Sequence, residues 1–317
     1  PAEAVVSALL LCALLFVPLV FVLPKLYPWA SPPAGDEAAR ALFDHRRGYM
    51  NPPFFVVRSG VYLGIFVLVG ELLRHWSREN DRRPRPVLVL RMRRLGAGAM
   101  PLVALLLTWA SFDWTMSLDR QAASTIFGLY FFAGAFVGAI ALVTLIMLFA
   151  HDVSGGEAGV TIEHAHAIGR LLFGMVCFWA YMAFSQLLLI WIANIPREAE
   201  YYVRRSTGTW AVVSALLVVG MFIAPFFALL SRPPKRRVGA LASVAVWVFL
   251  MHYVDVYWMV MPARDAEGVR PSWLDVAAAL FVGGLACAWI TRSYVARPAL
   301  PPNAPALAEG LHYEAAR

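Results

Sequence analysis

His252 and Asp255 stand three residues apart inside an apolar run, Val238 to Met261, that is long enough to cross a membrane. An imidazole and a carboxyl both take up and release protons. A spacing of three puts them on one helical face, within reach of each other or of one shared proton or ligand. Ionisable groups are costly where water is scarce, so a chain that keeps two of them there usually uses them. The plainer alternative is a buried pair that ties helices together.

Other polar side chains fall at membrane depth in two groups. Arg58, Asp113 and Asp119 join His252 and Asp255 toward one side of the membrane, while Glu71, His151, Asp152, Glu163, His164 and His166 gather toward the other. Tyr130, Tyr181, Ser185 and Gln186 lie between them. Hydroxyls and amides can hold water or pass a proton between ionisable stations, so the pattern reads as two half-channels joined by a central relay. Against this stand solvation of the second group at helix ends, interhelical hydrogen bonds for the hydroxyls and amide, and an ion pair or snorkelling for Arg58. Trp191, Trp210, Trp258 and Trp273 fall near the span ends, where anchoring in the interface is the default role. Asp113 and Asp119 flank Trp114 in the short segment Ser111 to Thr125, where Ser124 is placed to cap the next helix.

These residues need helices to hold them. The 317-residue chain is 60% apolar and only 15% charged, which places it among integral membrane proteins rather than soluble domains. Eight apolar runs reach spanning length, at roughly 4–23, 52–75, 97–113, 124–150, 168–194, 208–230, 238–261 and 272–294. The fold class is therefore all-α, a polytopic transmembrane helical bundle over residues 1–297, with a proline-rich extended tail over 298–317. Arg74 to Arg94 holds eight arginines and two interior prolines, and reads as a basic surface loop.

The net charge of +7 sits between apolar runs, which fits membrane anchoring and excludes nucleic acid as a partner. Sixteen lysines and arginines fall on one side of this topology and ten on the other, with Arg58 inside a span, so both ends are expected in the cytoplasm. The chain starts at Pro1 with no signal-peptide pattern, as a piece of a longer protein would.

Cys12, Cys177 and Cys287 are far apart within apolar runs and read as small core residues. No C-x-x-C, C-x-x-C-H or Cys/His cluster offers ligands for an iron–sulfur cluster, covalent haem or zinc. No Walker A sequence and no nucleophile–base set is present. Redox chemistry joined by this chain would have to use cofactors held elsewhere.

Six blocks, LYPWA (Leu26 to Ala30), HRRGYMNPPFFVVR (His45 to Arg58), FDWTMSLD (Phe112 to Asp119), STIFGLYFFAGAF (Ser124 to Phe136), FWAYMAFSQLLLIWIANIP (Phe178 to Pro196) and HYVDVYWMVMP (His252 to Pro262), together resemble the NrfD-like membrane subunits of alternative complex III. The likeness is greatest to the ActF type, the quinol:cytochrome c oxidoreductase quinone-binding subunit 2, and ALAEGLHYE (Ala306 to Glu314) resembles its ending. The resemblance implies a bacterial inner-membrane assembly that oxidises menaquinol or ubiquinol and delivers electrons to a cytochrome c or a terminal oxidase. Its partners would be a sister NrfD-like quinol-oxidising subunit, an iron–sulfur protein, and multihaem and monohaem cytochromes c. Haem c and the iron–sulfur clusters would belong to those partners, with no cofactor bound by this chain. It also implies two further helices ahead of Pro1.

Carried over residue by residue, the resemblance gives His252, Asp255, Asp113, Asp119, Ser185 and Gln186 to a proton path in a non-catalytic subunit. Where family sequences often have a histidine–aspartate pair, this chain has His166 and Ala167. The rival is a direct quinone site: His252 would accept a quinol proton, Asp255 would orient the ring, and nearby aromatics such as Trp258 would line the pocket. A secondary transporter, for which no internal repeat is visible, and a purely structural scaffold are the remaining alternatives.

Overall fold

The computed structural model describes residues 2–31, 37–119, 122–153 and 161–295, and among these the secondary structure is helical with no strand. In chain order the α-helices are α1 (Ala2–Val6), α2 (Leu9–Phe21), α3 (Leu23–Leu26), α4 (Glu37–Arg46), α5 (Pro52–Arg82), α6 (Pro86–Trp114) and α7 (Phe127–Val153). They continue as α8 (Ile162–Ala193), α9 (Pro196–Arg205), α10 (Gly208–Leu217), α11 (Ala224–Leu230), α12 (Arg232–Arg236), α13 (Val238–Val260) and α14 (Trp273–Val295). A π-helical turn, Val218–Ile223, joins α10 to α11. Among the described residues eight segments are long and apolar enough to cross a membrane, so the chain is a polytopic helical bundle. The tail over 298–317 lies outside the described residues.

The spans run longer than their apolar runs. The arginine-rich segment expected as a loop is helical except at residues 83–85: α5 continues to Arg82, and α6 starts at Pro86. Its residues are mostly good helix formers, and a proline at the first helical position loses no hydrogen bond. Elsewhere the ends follow local chemistry. Asn51 accepts from the Phe54 N–H at 3.0 Å to start α5. Asn194, in the left-handed conformation at φ 47°, stops α8, and Pro196 opens α9. Helix α7 begins at Phe127, past Ser124, whose carbonyl accepts the Phe127 N–H at 3.4 Å.

The core is built by α7, α8 and α13, with the π-turn and α11 closing one side. Helix α7 presents Ala133, Val137 and Ala141, all fully buried, beside Gly134 and Gly138. Side chains this small let helix backbones approach closely in a membrane. Pro225 has no N–H to give to the carbonyl of Met221, and the chain takes up the mismatch as the wide π-turn. Trp247 then donates to the Gly220 carbonyl at 2.7 Å.

Two expectations about surface residues change. Trp191 and Trp273 are exposed, as interface anchors are, but Trp210 and Trp258 are buried. Their indoles donate inward, to the Asp265 carbonyl at 2.8 Å and to the Ser214 hydroxyl at 2.8 Å. The cysteines are not core residues: Cys12 and Cys287 are exposed and Cys177 is half-buried. An apolar surface facing lipid accepts a thiol as readily as a core does.

Candidate functional site

Near the end of α13 that adjoins α9, Asp255 is fully buried. Its Oδ1 accepts from the hydroxyl of Tyr130 on α7, and its Oδ2 accepts from Nε1 of Trp179 on α8 at 3.0 Å. Three helices are thus joined at one carboxyl. Tyr130 and Trp179 are themselves buried, with ring centroids 6.1 Å apart.

His252 lies one turn along α13, with Nδ1 4.0 Å from Asp255 Oδ2, beyond a hydrogen bond. Its ring lies against the two glycines of α7. A Cβ at Gly138 would come within 2.5 Å of its Cδ2, and one at Gly134 within 3.3 Å of its Cε1. Nδ1 is buried with no partner among the described residues.

One wall of a larger cavity is made by the same side chains. A space of about 1020 Å3 lies between α8 and α10, bordered by Tyr130, Trp179 and Trp258 on the inside and roofed by Tyr202 and Arg205 of α9. Its rim residues Tyr181, Phe184 and Val218 are exposed on the outer surface of the bundle. The opening therefore faces whatever surrounds the spans. The space exists because α8 packs on the π-turn and α11 but spreads away from α10, leaving α9 to bridge the gap.

Arg205 is buried in that roof with no carboxylate paired to it among the described residues. Its guanidinium donates to the carbonyls of Tyr201, Trp258 and Met259 at 2.9, 3.2 and 3.0 Å. It also lies over the Tyr201 ring at 3.5 Å. Carbonyls at the end of α13 carry partial negative charge, which suits a cation. Burial raises the pKa of Tyr201 and Tyr202 above that of an ordinary phenol, and Asp255 adds to this while Arg205 opposes it.

Asp113 is fully buried, but in a two-pronged ion pair with Arg58 at 2.8 and 2.9 Å, with Tyr62 donating at 3.0 Å. Arg58 also donates to the Tyr49 carbonyl at 2.9 Å and stacks on the Tyr49 and Phe54 rings. Asp119 pairs with Arg204 at 3.2 Å. Gln186 is buried beside Tyr201 near α9. Ser185 is half-buried, and Tyr181 stands on the cavity rim.

At the opposite face, Glu71 pairs with Arg74 and Glu163 with Arg236 at 2.5 Å. His164 closes the start of α8, its Nδ1 accepting from the Thr161 N–H at 3.1 Å. His166 is buried near Lys235. The side chains of His151 and Asp152 lie outside the described residues. Between His166 and Trp179, roughly 20 Å apart along α8, the core is filled by Val137, Ala141, Leu172, Val176, Leu241, Ala245 and Val248, all fully buried. Among the described residues the two groups are therefore not joined, and within each the contacts are separate: Arg58 with Asp113, Asp119 with Arg204, Glu71 with Arg74 and Glu163 with Arg236.

Sequence reasoning missed Trp179, Arg205, Tyr201 and the glycine pair. The Gly134-x-x-x-Gly138 spacing was a readable signal for close helix approach. Tyr201 and Arg205 sit four apart on the short α9, where a charged composition hides the buried face.

No protein-family profile matches the chain, and no curated protein does.

Proposed function

We propose that the chain is an integral membrane subunit of a quinol-oxidising electron-transfer assembly of the alternative complex III kind, in which it handles protons at the face that bears α9. The observation that carries this reading is Asp255, a wholly buried carboxyl with each oxygen taken by a neutral donor and an imidazole 4.0 Å away. A carboxyl placed there costs free energy that a merely structural contact between helices does not require. The assembly itself comes from the sequence resemblance, as do the bacterial inner membrane, the partner-held haem c and iron–sulfur clusters, and the cytochrome c or terminal oxidase that takes the electrons. With both chain ends cytoplasmic, α9 lies outside, and Asp255 exchanges protons with the outer side. Passage to the cytoplasmic group around Glu163 and His166 would need the apolar layer to open.

The test is the number of protons moved per electron by the whole assembly in proteoliposomes. Asp255→Asn should lower it while assembly stays intact, and an unchanged ratio would remove the reading.

A second reading is favoured by the cavity. A volume of about 1020 Å3, mostly apolar walls and a rim exposed on the membrane-spanning surface suit a membrane-soluble quinone, menaquinone or ubiquinone. Of the residues expected to hold it, Trp258 borders the cavity but His252 and Asp255 do not, and Asp255 lies behind Tyr130 and Trp179. A quinol in the cavity would then pass its proton through the Tyr130 hydroxyl. A photoreactive quinone should label α8 or α10, and Ala183→Trp should block the label. Labelling confined to a partner subunit would sink this second reading.

A further inference from the structure

Two buried polar atoms near α9 have no partner among the described residues: Oε1 of Gln186 and the hydroxyl of Tyr201. Gln186 is 1% exposed and Tyr201 6%. Both border one small cavity, with Ser124, Phe127 and Glu198 also on its wall and about 10 Å3 of room for water. That is close to the space one water molecule requires. A buried amide oxygen or phenol left unsatisfied is costly. One water accepting from the Tyr201 hydroxyl and donating to Gln186 would satisfy both.

The place of this cavity matters as much as its lining. Phe127 meets the Tyr130 ring edge-on at 6.4 Å and the Tyr201 ring edge-on at 6.5 Å, so the two phenols flank one side chain. Burial raises the pKa of Tyr201, Arg205 opposes this, and Asp255 and Asp119 add to the rise. Tyr201 is thus within electrostatic reach of both Asp255 and Asp119. Glu198 stands three residues before Tyr201, on the same side of α9, and is half-buried.

We propose that this cavity binds one water, held by Gln186 and Tyr201, through which protons pass between the Asp255–Tyr130 pair and Glu198. The inference rests on the reading of Asp255 as a proton station and supplies its outlet. In each transfer an O–H bond at Asp255 breaks and one at Glu198 forms. The intermediate hydroxyls and the water each give one proton and gain one, and no electrons change hands.

The experiment uses the full chain within the assembly that copurifies with it, turning over with a quinol in liposomes that contain a pH-sensitive dye. Asp255→Asn should abolish proton flux. Tyr201→Phe, which keeps the ring over Arg205, and Gln186→Leu should each slow it roughly tenfold or more, and Glu198→Gln should do the same. If Asp255→Asn stops the flux while Tyr201→Phe and Gln186→Leu leave it unchanged, the outlet is wrong and the proton station stands. If Asp255→Asn changes nothing, the station fails and the outlet fails with it. A structure that shows ordered solvent decides the water by itself: density within hydrogen-bond reach of both Gln186 and Tyr201 supports the site, and a dry cavity overturns it.

Discussion

The hydroxyl of Tyr130 on α7 donates to Oδ1 of Asp255 on α13, joining residues 125 positions apart in the chain. Trp179 of α8 completes the contact at 3.0 Å. Tyr130→Phe keeps the ring and removes the donor, leaving a buried carboxyl oxygen unsatisfied. It should destabilise the protein by about 1–3 kcal/mol and slow proton exchange roughly tenfold or more. Thermal unfolding in detergent and dye-reported flux measure the two effects. A variant indistinguishable from wild type in both would refute the role given to this contact.

Gly138 sets how closely α7 and α13 approach. A Cβ there would meet His252 Cδ2 at 2.5 Å, whereas one at Gly60 would meet nothing within 4 Å. Gly138→Ala should therefore cost about 1–3 kcal/mol through overpacking and displace His252. Gly60→Ala should be neutral or slightly stabilising, because alanine favours helix. Equal melting temperatures for the two variants would contradict the close approach.

Arg58 and Asp113 form a buried ion pair between α5 and α6. Removing one partner strands the other charge, so Arg58→Met or Asp113→Leu alone should cost about 3–5 kcal/mol. The double variant should recover most of that loss. A simple sum of the two single effects would show that the pair is not coupled.

Lys235 is a buried cation on α12 whose ammonium donates to the Leu229 and Leu230 carbonyls at 2.8 and 3.5 Å. Burial, then Arg170 and Arg232, hold its pKa below the ordinary 10.5. The folded state thus gives up this proton before the unfolded state does. Stability should rise as pH climbs from the depressed folded value toward 10.5. Lys235→Met should flatten that part of the curve, with unfolding midpoints across alkaline pH as the readout.

Much of the architecture was legible because a hydrocarbon core leaves the backbone few choices. Long apolar runs such as Phe127–Phe149 and Val238–Ala263 satisfy their own hydrogen bonds only as helices. Where charge mixes with good helix formers, as around Arg74 to Arg94, polarity misled and helix propensity prevailed. Trp210 and Trp258 misled in the other direction, since position along a span does not say which way a side chain points.

The i, i+3 spacing of His252 and Asp255 was fixed by the chain alone, because one helical turn determines it. Which groups meet Asp255 was not, because Tyr130 and Trp179 arrive from other helices whose rotation depends on how all three settle together. The same holds for the separation of the two ionisable groups. Sequence places Glu163 and Asp255 at opposite ends of the bundle, but only the fitted core of Val137, Leu172 and Val248 decides that the space between them is closed. Local periodicity is a property of one segment, and enclosure is a property of several at once.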